Sequence, residues 1–153
     1  MKSARQRATA VANEIVNTRD FTSPRDEMWS ALSDPARLAQ WWGPRGFTNT
    51  FHEFELRTGG RWRFTMHGPD GARYEQTREF IEVVPQERIV LENDDPVHRF
   101  RMTISLEPRG RGTRLVWSMV FESAVEFARV KDLIASANEE NFNRLEAHLR
   151  DEI

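Results

Sequence analysis

Apolar and polar residues alternate with a period of two in three successive stretches of the chain. Trp62, Phe64 and Met66 share one face, with Arg61, Arg63 and Thr65 on the other. Phe100, Met102, Ile104 and Leu106 oppose Arg99, Arg101, Thr103 and Ser105, and Leu115, Trp117, Met119 and Phe121 repeat the arrangement. Each stretch has one aromatic side and one wet side, which predicts an antiparallel meander covered on a single face. Further strands are expected over 11–21, about 47–56, 72–84 and 88–92, separated by turn-forming clusters such as Gly68-Pro69-Asp70-Gly71.

Two short helices are expected after the first strand. In the first, over 23–32, Ser23 caps, Pro24 takes the first helical position, and Asp26 and Glu27 sit at the positive end of the dipole. The second runs from Pro35 to about Trp42, capped by Asp34 and stopped by Gly43-Pro44. From Ala124 to Arg150 the period becomes helical, with Val130, Leu133, Ile134, Ala137, Phe142, Leu145 and Leu149 as the apolar stripe. Capping-box patterns at Ser123-x-x-Glu126 and Ser136-x-x-Glu139 leave open one helix kinked near Ala135 or two helices. The stripe needs a partner and the aromatic sheet face needs a cover, so they are expected to meet. The predicted fold is α+β: a strongly curved antiparallel sheet of six to seven strands wrapped on a long C-terminal helix.

Composition narrows the function classes. A chain of 153 residues suits one domain, expected over 11–153 with a frayed arm at 1–10. Without cysteine there is no disulfide framework or thiolate chemistry. A net charge of −2 argues against nucleic acid as a partner. No run approaches the ~20 apolar residues of a membrane span, and the basic start lacks the apolar stretch of a secretory signal. A cytoplasmic location is the expectation.

Several segments, in order, resemble a known family. Thr18-Arg19-Asp20-Phe21-Thr22-Ser23-Pro24 leads to Ser33-Asp34-Pro35-Ala36-Arg37-Leu38-Ala39-Gln40-Trp41-Trp42-Gly43-Pro44, the most specific element. Glu55-Leu56-Arg57-Thr58-Gly59-Gly60-Arg61-Trp62, Val83-Val84-Pro85-Gln86-Glu87-Arg88 and Gly112-Thr113-Arg114-Leu115 follow. Together they resemble the activator-of-heat-shock-protein-ATPase-like proteins of the START-like, polyketide-cyclase-like (SRPBCC) superfamily, across about residues 15–150. The resemblance implies the helix-grip fold and, in that superfamily, a cavity between sheet and C-terminal helix. Glu55 and Thr58 stand where the family usually has Asp and Pro, and Arg78 where it commonly has Gly.

Candidate chemistry is sparse. His52, His67, His98 and His148 show no metal-ligand spacing, and no serine lies in a nucleophile motif. Glu75, Glu79, Glu82 and Glu92 read as cross-strand partners of Arg61, Arg63, Arg99 and Arg101. No catalytic residue, metal or cofactor is therefore expected. The aromatic face is the functional candidate, with Trp62, Phe64, Met66, Tyr74, Gln76, Arg78, Phe100, Met102, Trp117, Met119, Phe142 and Leu145 as residues that either line a cavity or fill the core. Alternation from Tyr74 through Gln76 turns Arg78 inward, whereas a β-bulge near it, the favoured arrangement, turns it outward. Whether Trp41 and Trp42 line the cavity or pack in the core stays open. The leading function is binding of a small hydrophobic or amphipathic molecule. An enzyme of cyclase, dehydratase or hydrolase type in the same cavity and a chaperone-interaction module are the alternatives, and a homodimer stays open.

Overall fold

The period-two segments form seven strands in a computed structural model that describes residues 12–93, 95, 96 and 98–151. The expected arm at 1–10 and Val11 lie outside the described residues. The strands are β1 (Glu14–Phe21), β2 (Thr48–Phe54), β3 (Arg61–His67), β4 (Arg73–Val84), β5 (Arg88–Asn93), β6 (Phe100–Arg109) and β7 (Gly112–Phe121). They form one sheet in the order β1-β7-β6-β5-β4-β3-β2, antiparallel throughout. Six hairpin-linked strands follow one another from β2 to β7, and β1 closes against β7, so the first and last strands are neighbours.

The helices are α1 (Arg25–Ser33), α2 (Pro35–Trp41) and α3 (Ala124–Asp151). Asp34 caps α2 as expected, its Oδ1 accepting from the Ala36 N–H at 3.0 Å. At α1 the expectation is corrected: Pro24, not Ser23, is the capping position, and no side chain caps the helix. The Ser23 carbonyl instead accepts a 2.8 Å bond from Thr113 Oγ1, which ties this corner to β7. Helix α3 runs 28 residues without a break, so the two-helix alternative near Ala135 does not form. Ser123 Oγ accepts from the Glu126 N–H at 3.1 Å and starts it, whereas Ser136 lies inside a turn already closed by backbone bonds.

The two halves of α3 differ. From Asn138 onward Asn141, Phe142, Leu145, His148 and Leu149 are buried, while over 124–137 only Glu126 is. Leu133, placed in the stripe by its spacing, is 73% exposed. The curved sheet meets the helix along its C-terminal half, so helical spacing alone overstated how far burial extends.

Two bulges bend the sheet. In β2 the register shifts between Phe51 and Glu53, which sets Phe51 and Phe54 on the same face, their rings 5.8 Å apart. In β4 the shift falls between Phe80 and Glu82, beyond Arg78. Register with β3 is continuous from Arg73 to Glu79, so Arg78 points to the concave side and is 7% exposed. The outward turn favoured from sequence is corrected: the bulge exists, but it absorbs Ile81. Of the expected charge pairs, Glu92 and Arg101 meet at 2.6 Å across β5 and β6, whereas Arg63 pairs with Glu53, Arg99 with Glu122, Glu82 with Arg88 and Glu75 with Arg73. Gly60 is sterically required, because a Cβ there would lie 2.0 Å from the Glu55 carbonyl oxygen.

Candidate functional site

The concave wall is aromatic, and its centre is the residue after α2. Trp42 ends that helix, and its indole lies between two others, 5.0 Å from Trp62 of β3 and 5.2 Å from Trp117 of β7. Trp62 also stacks on Phe64 at 4.3 Å. Trp41 and Trp42 are both in the core, at 1% and 5% exposure. Trp41 is anchored by its own donor, Nε1 to the Ala31 carbonyl at 3.1 Å.

The chain turns sharply after Trp42 because Gly43 and Gly46 adopt φ of +97° and +90°, which disfavour any side chain. Helix α3 holds this turn. Arg144 Nη1 donates to the carbonyls of Trp42, Gly43 and Pro44 at 3.1, 3.0 and 3.1 Å, and its Nη2 donates to Gln40 at 3.0 Å. Asn141 donates to the Trp41 carbonyl at 2.8 Å and accepts from the Gly43 N–H at 3.1 Å. These bonds satisfy carbonyls that the C-terminus of α2 leaves without intrahelical partners. Burial pulls the Arg144 guanidinium below its ordinary pKa.

Beside Trp42 lies an apolar hollow of about 10 Å³, lined by Leu32, Leu38, Trp42, Phe54, Leu56, Trp62, Phe80, Ile89, Leu91 and Ile104. That is room for about one water molecule. No Asp, Glu or His borders it. Two indole donors in this interior, Trp62 Nε1 and Trp117 Nε1, have no acceptor among the described residues.

Of the twelve residues singled out from sequence, only Trp62 borders the hollow. Phe64, Phe100, Met102, Trp117, Met119, Phe142 and Leu145 are buried around it, and Met66 and Gln76 are half-buried. Phe142 fills the space under α3, 5.2 Å from Trp117 and 6.3 Å from Phe21. Tyr74 is at the rim, 46% exposed, with Phe47 6.0 Å away. The Arg78 guanidinium lies 5.6 Å from the Phe64 ring centroid and 5.3 Å from that of Phe100. Sequence reasoning missed Phe80, which simply continues the Tyr74-Gln76-Arg78 alternation. It also missed Phe54, whose inward turn depends on a bulge that leaves no signature.

Polar clusters lie elsewhere. At the first turn of α3, His98 Nδ1 is 2.5 Å from Glu126 Oε2, and Arg129 pairs with the same carboxylate. Burial pushes the Glu126 carboxyl up, but Arg129 and His98 together outweigh it and hold it below its ordinary value. On the convex face Thr65 Oγ1 donates to Glu75 at 2.7 Å and lies 2.8 Å from His52 Nε2, and the threonine bond depresses the Glu75 pKa. No group of three metal-ligating side chains occurs among the described residues. A larger recess of about 530 Å³ lies open between the start of α1 and the end of α3, but Glu27, Glu146 and Arg150 make it a solvated groove. Among the described residues no helix is long and apolar enough to cross a membrane.

The same fold occurs in solved structures. A protein from Arthrobacter aurescens is 23% identical at a TM-score of 0.85, covering 92% of this chain and 87% of its own. One from Rhodobacter sphaeroides is 25% identical at 0.83, covering 92% and 95%. An AHSA1 protein from Silicibacter pomeroyi is 21% identical at 0.74, covering 92% and 99%. Comparison with the curated proteins gives no match. The sequence profile described as Activator of Hsp90 ATPase homolog 1-like protein matches residues 22–150, most of the chain. The chain belongs to the Activator of Hsp90 ATPase homolog 1-like family.

Proposed function

We propose that this protein binds one small hydrophobic or amphipathic molecule on the concave side of its sheet, in space that Trp42 occupies when no guest is present. The observation that carries this reading is the seat of Trp42. Its ring is slotted between Trp62 and Trp117 at the edge of a hollow, on a turn flanked by glycines. A side-chain rotation that moves the indole aside joins its volume to the hollow while Arg144 keeps the backbone in place. Affinity then comes from apolar burial at about 25 cal/mol per Å². Arg78, on the same wall, orients an amphipathic guest.

The test is an NMR titration of the protein with 1-indanone and with decanoate, alongside native mass spectrometry of molecules that co-purify. Saturable shifts at Trp62, Leu91 and Ile104 are expected. No saturation by either compound at millimolar concentration refutes the reading.

An enzyme in the same cavity is disfavoured because the hollow has no titratable lining residue. An activator-type interaction module is favoured by one separate observation: Val125 and Leu133 of α3 are 80% and 73% exposed, apolar surface that a protein partner can cover. Stimulation of Hsp90 ATPase activity that Leu133→Asp abolishes supports that second reading.

A further inference from the structure

Two buried indole donors near Trp42 lack an acceptor among the described residues. Trp62 and Trp117 are each 1% exposed, and neither indole nitrogen has an acceptor among the described residues. An indole N–H can only donate, so Trp42, which meets Trp62 edge to face and stacks on Trp117, offers neither a lone-pair acceptor. The fold does satisfy such donors elsewhere, as Trp41 with the Ala31 carbonyl shows. A buried donor without an acceptor is uncommon in native proteins and calls for an explanation. The two unpaired donors belong to the two indoles that the Trp42 ring contacts.

We infer that the guest is a planar, largely apolar molecule carrying a hydrogen-bond acceptor, a ketone, ester or amide carbonyl, which replaces the Trp42 ring and accepts from Trp62 Nε1 or Trp117 Nε1. This rests on the binding reading above and adds to it the chemistry that selects one apolar molecule over another. A hydrocarbon of the same shape fills the slot equally well but leaves both donors buried and unpaired. The difference between the two is therefore set by the hydrogen bond, not by area.

The experiment uses the wild-type protein and two compounds that share a skeleton, indane and 1-indanone, which carries one carbonyl. Indole N–H signals are followed by ¹H–¹⁵N spectroscopy in protein labelled at tryptophan. They are assigned by Trp62→Phe and Trp117→Phe, or by through-space contacts in the wild type if either variant fails to fold. The expected result is that 1-indanone binds about fivefold to tenfold more tightly than indane and moves the Trp62 or Trp117 signal downfield. Equal affinities overturn the inference and leave the binding reading intact. A preference for 1-indanone that leaves both signals in place also overturns it, because another group then reads the carbonyl. Failure of both compounds to bind overturns the inference, and overturns the reading on which it rests as well when decanoate also fails to saturate.

Discussion

Replacing Trp42 by alanine removes an indole that is 5% exposed and held between two others. Burying a tryptophan removes about 150–250 Å² from water. At about 25 cal/mol per Å² this is worth about 4–6 kcal/mol, and large-to-small tryptophan substitutions lose about 3–5 kcal/mol. About 4 kcal/mol is therefore the expected destabilisation of Trp42→Ala. With an unfolding entropy of about 2.1 cal/mol/K for each residue, this lowers Tm by about 12 °C. The void adjoins the existing hollow and has the shape of an indole, so added indole refills it. At ten times its dissociation constant it restores about 1.4 kcal/mol, or about 4 °C. The assay is thermal unfolding by circular dichroism with and without indole, with Phe121→Ala as a control void distant from the Trp42 slot. A loss below about 1 kcal/mol means that the ring contributes little to the core. Rescue absent from Trp42→Ala, or equal in Phe121→Ala, means that the slot has no special capacity for a guest, and the reasoning fails.

Arg144→Met leaves the carbonyls of Gln40, Trp42, Gly43 and Pro44 without their donor; a loss of about 2–3 kcal/mol is expected in urea unfolding, together with faster 1-indanone binding in stopped-flow fluorescence. The folded Glu126 carboxyl lies below its ordinary 4.5, so its contribution is complete above that value and disappears as pH falls through the folded pKa. Glu126→Gln is accordingly less stable than wild type at pH 7, and the gap narrows below pH 4.5 in acid titrations followed by circular dichroism. A gap of constant size would remove the pairing with His98 and Arg129 as its cause. Arg78→Met is expected to lower affinity for decanoate while leaving that for indane unchanged, read by calorimetry; unaltered decanoate binding removes Arg78 from the site.

Strand periodicity, the Asp34 cap, the long terminal helix and the family were legible because each rests on local spacing. The site was less so. Trp62 declares itself by alternation, yet the inward turns of Phe54 and Arg78 depend on where two bulges fall, and bulges arise from how a sheet bends as a whole. Leu133 looks like a core residue along its helix and is exposed because the sheet curves away beneath it. Trp42 was visible as a residue but not as an occupant, since its place between Trp62 and Trp117 joins segments far apart in the chain.

The pairing of β1 with β7 sets Glu14 opposite Val120 and Phe21 opposite Thr113. On a ribosome the opening strand therefore has no hydrogen-bonding neighbour until β7, the last strand, has emerged. Such long-range closure slows folding relative to a chain of local hairpins. The wait leaves Ile15 and Phe21, core residues in the finished sheet, open to chaperones or to self-association during synthesis.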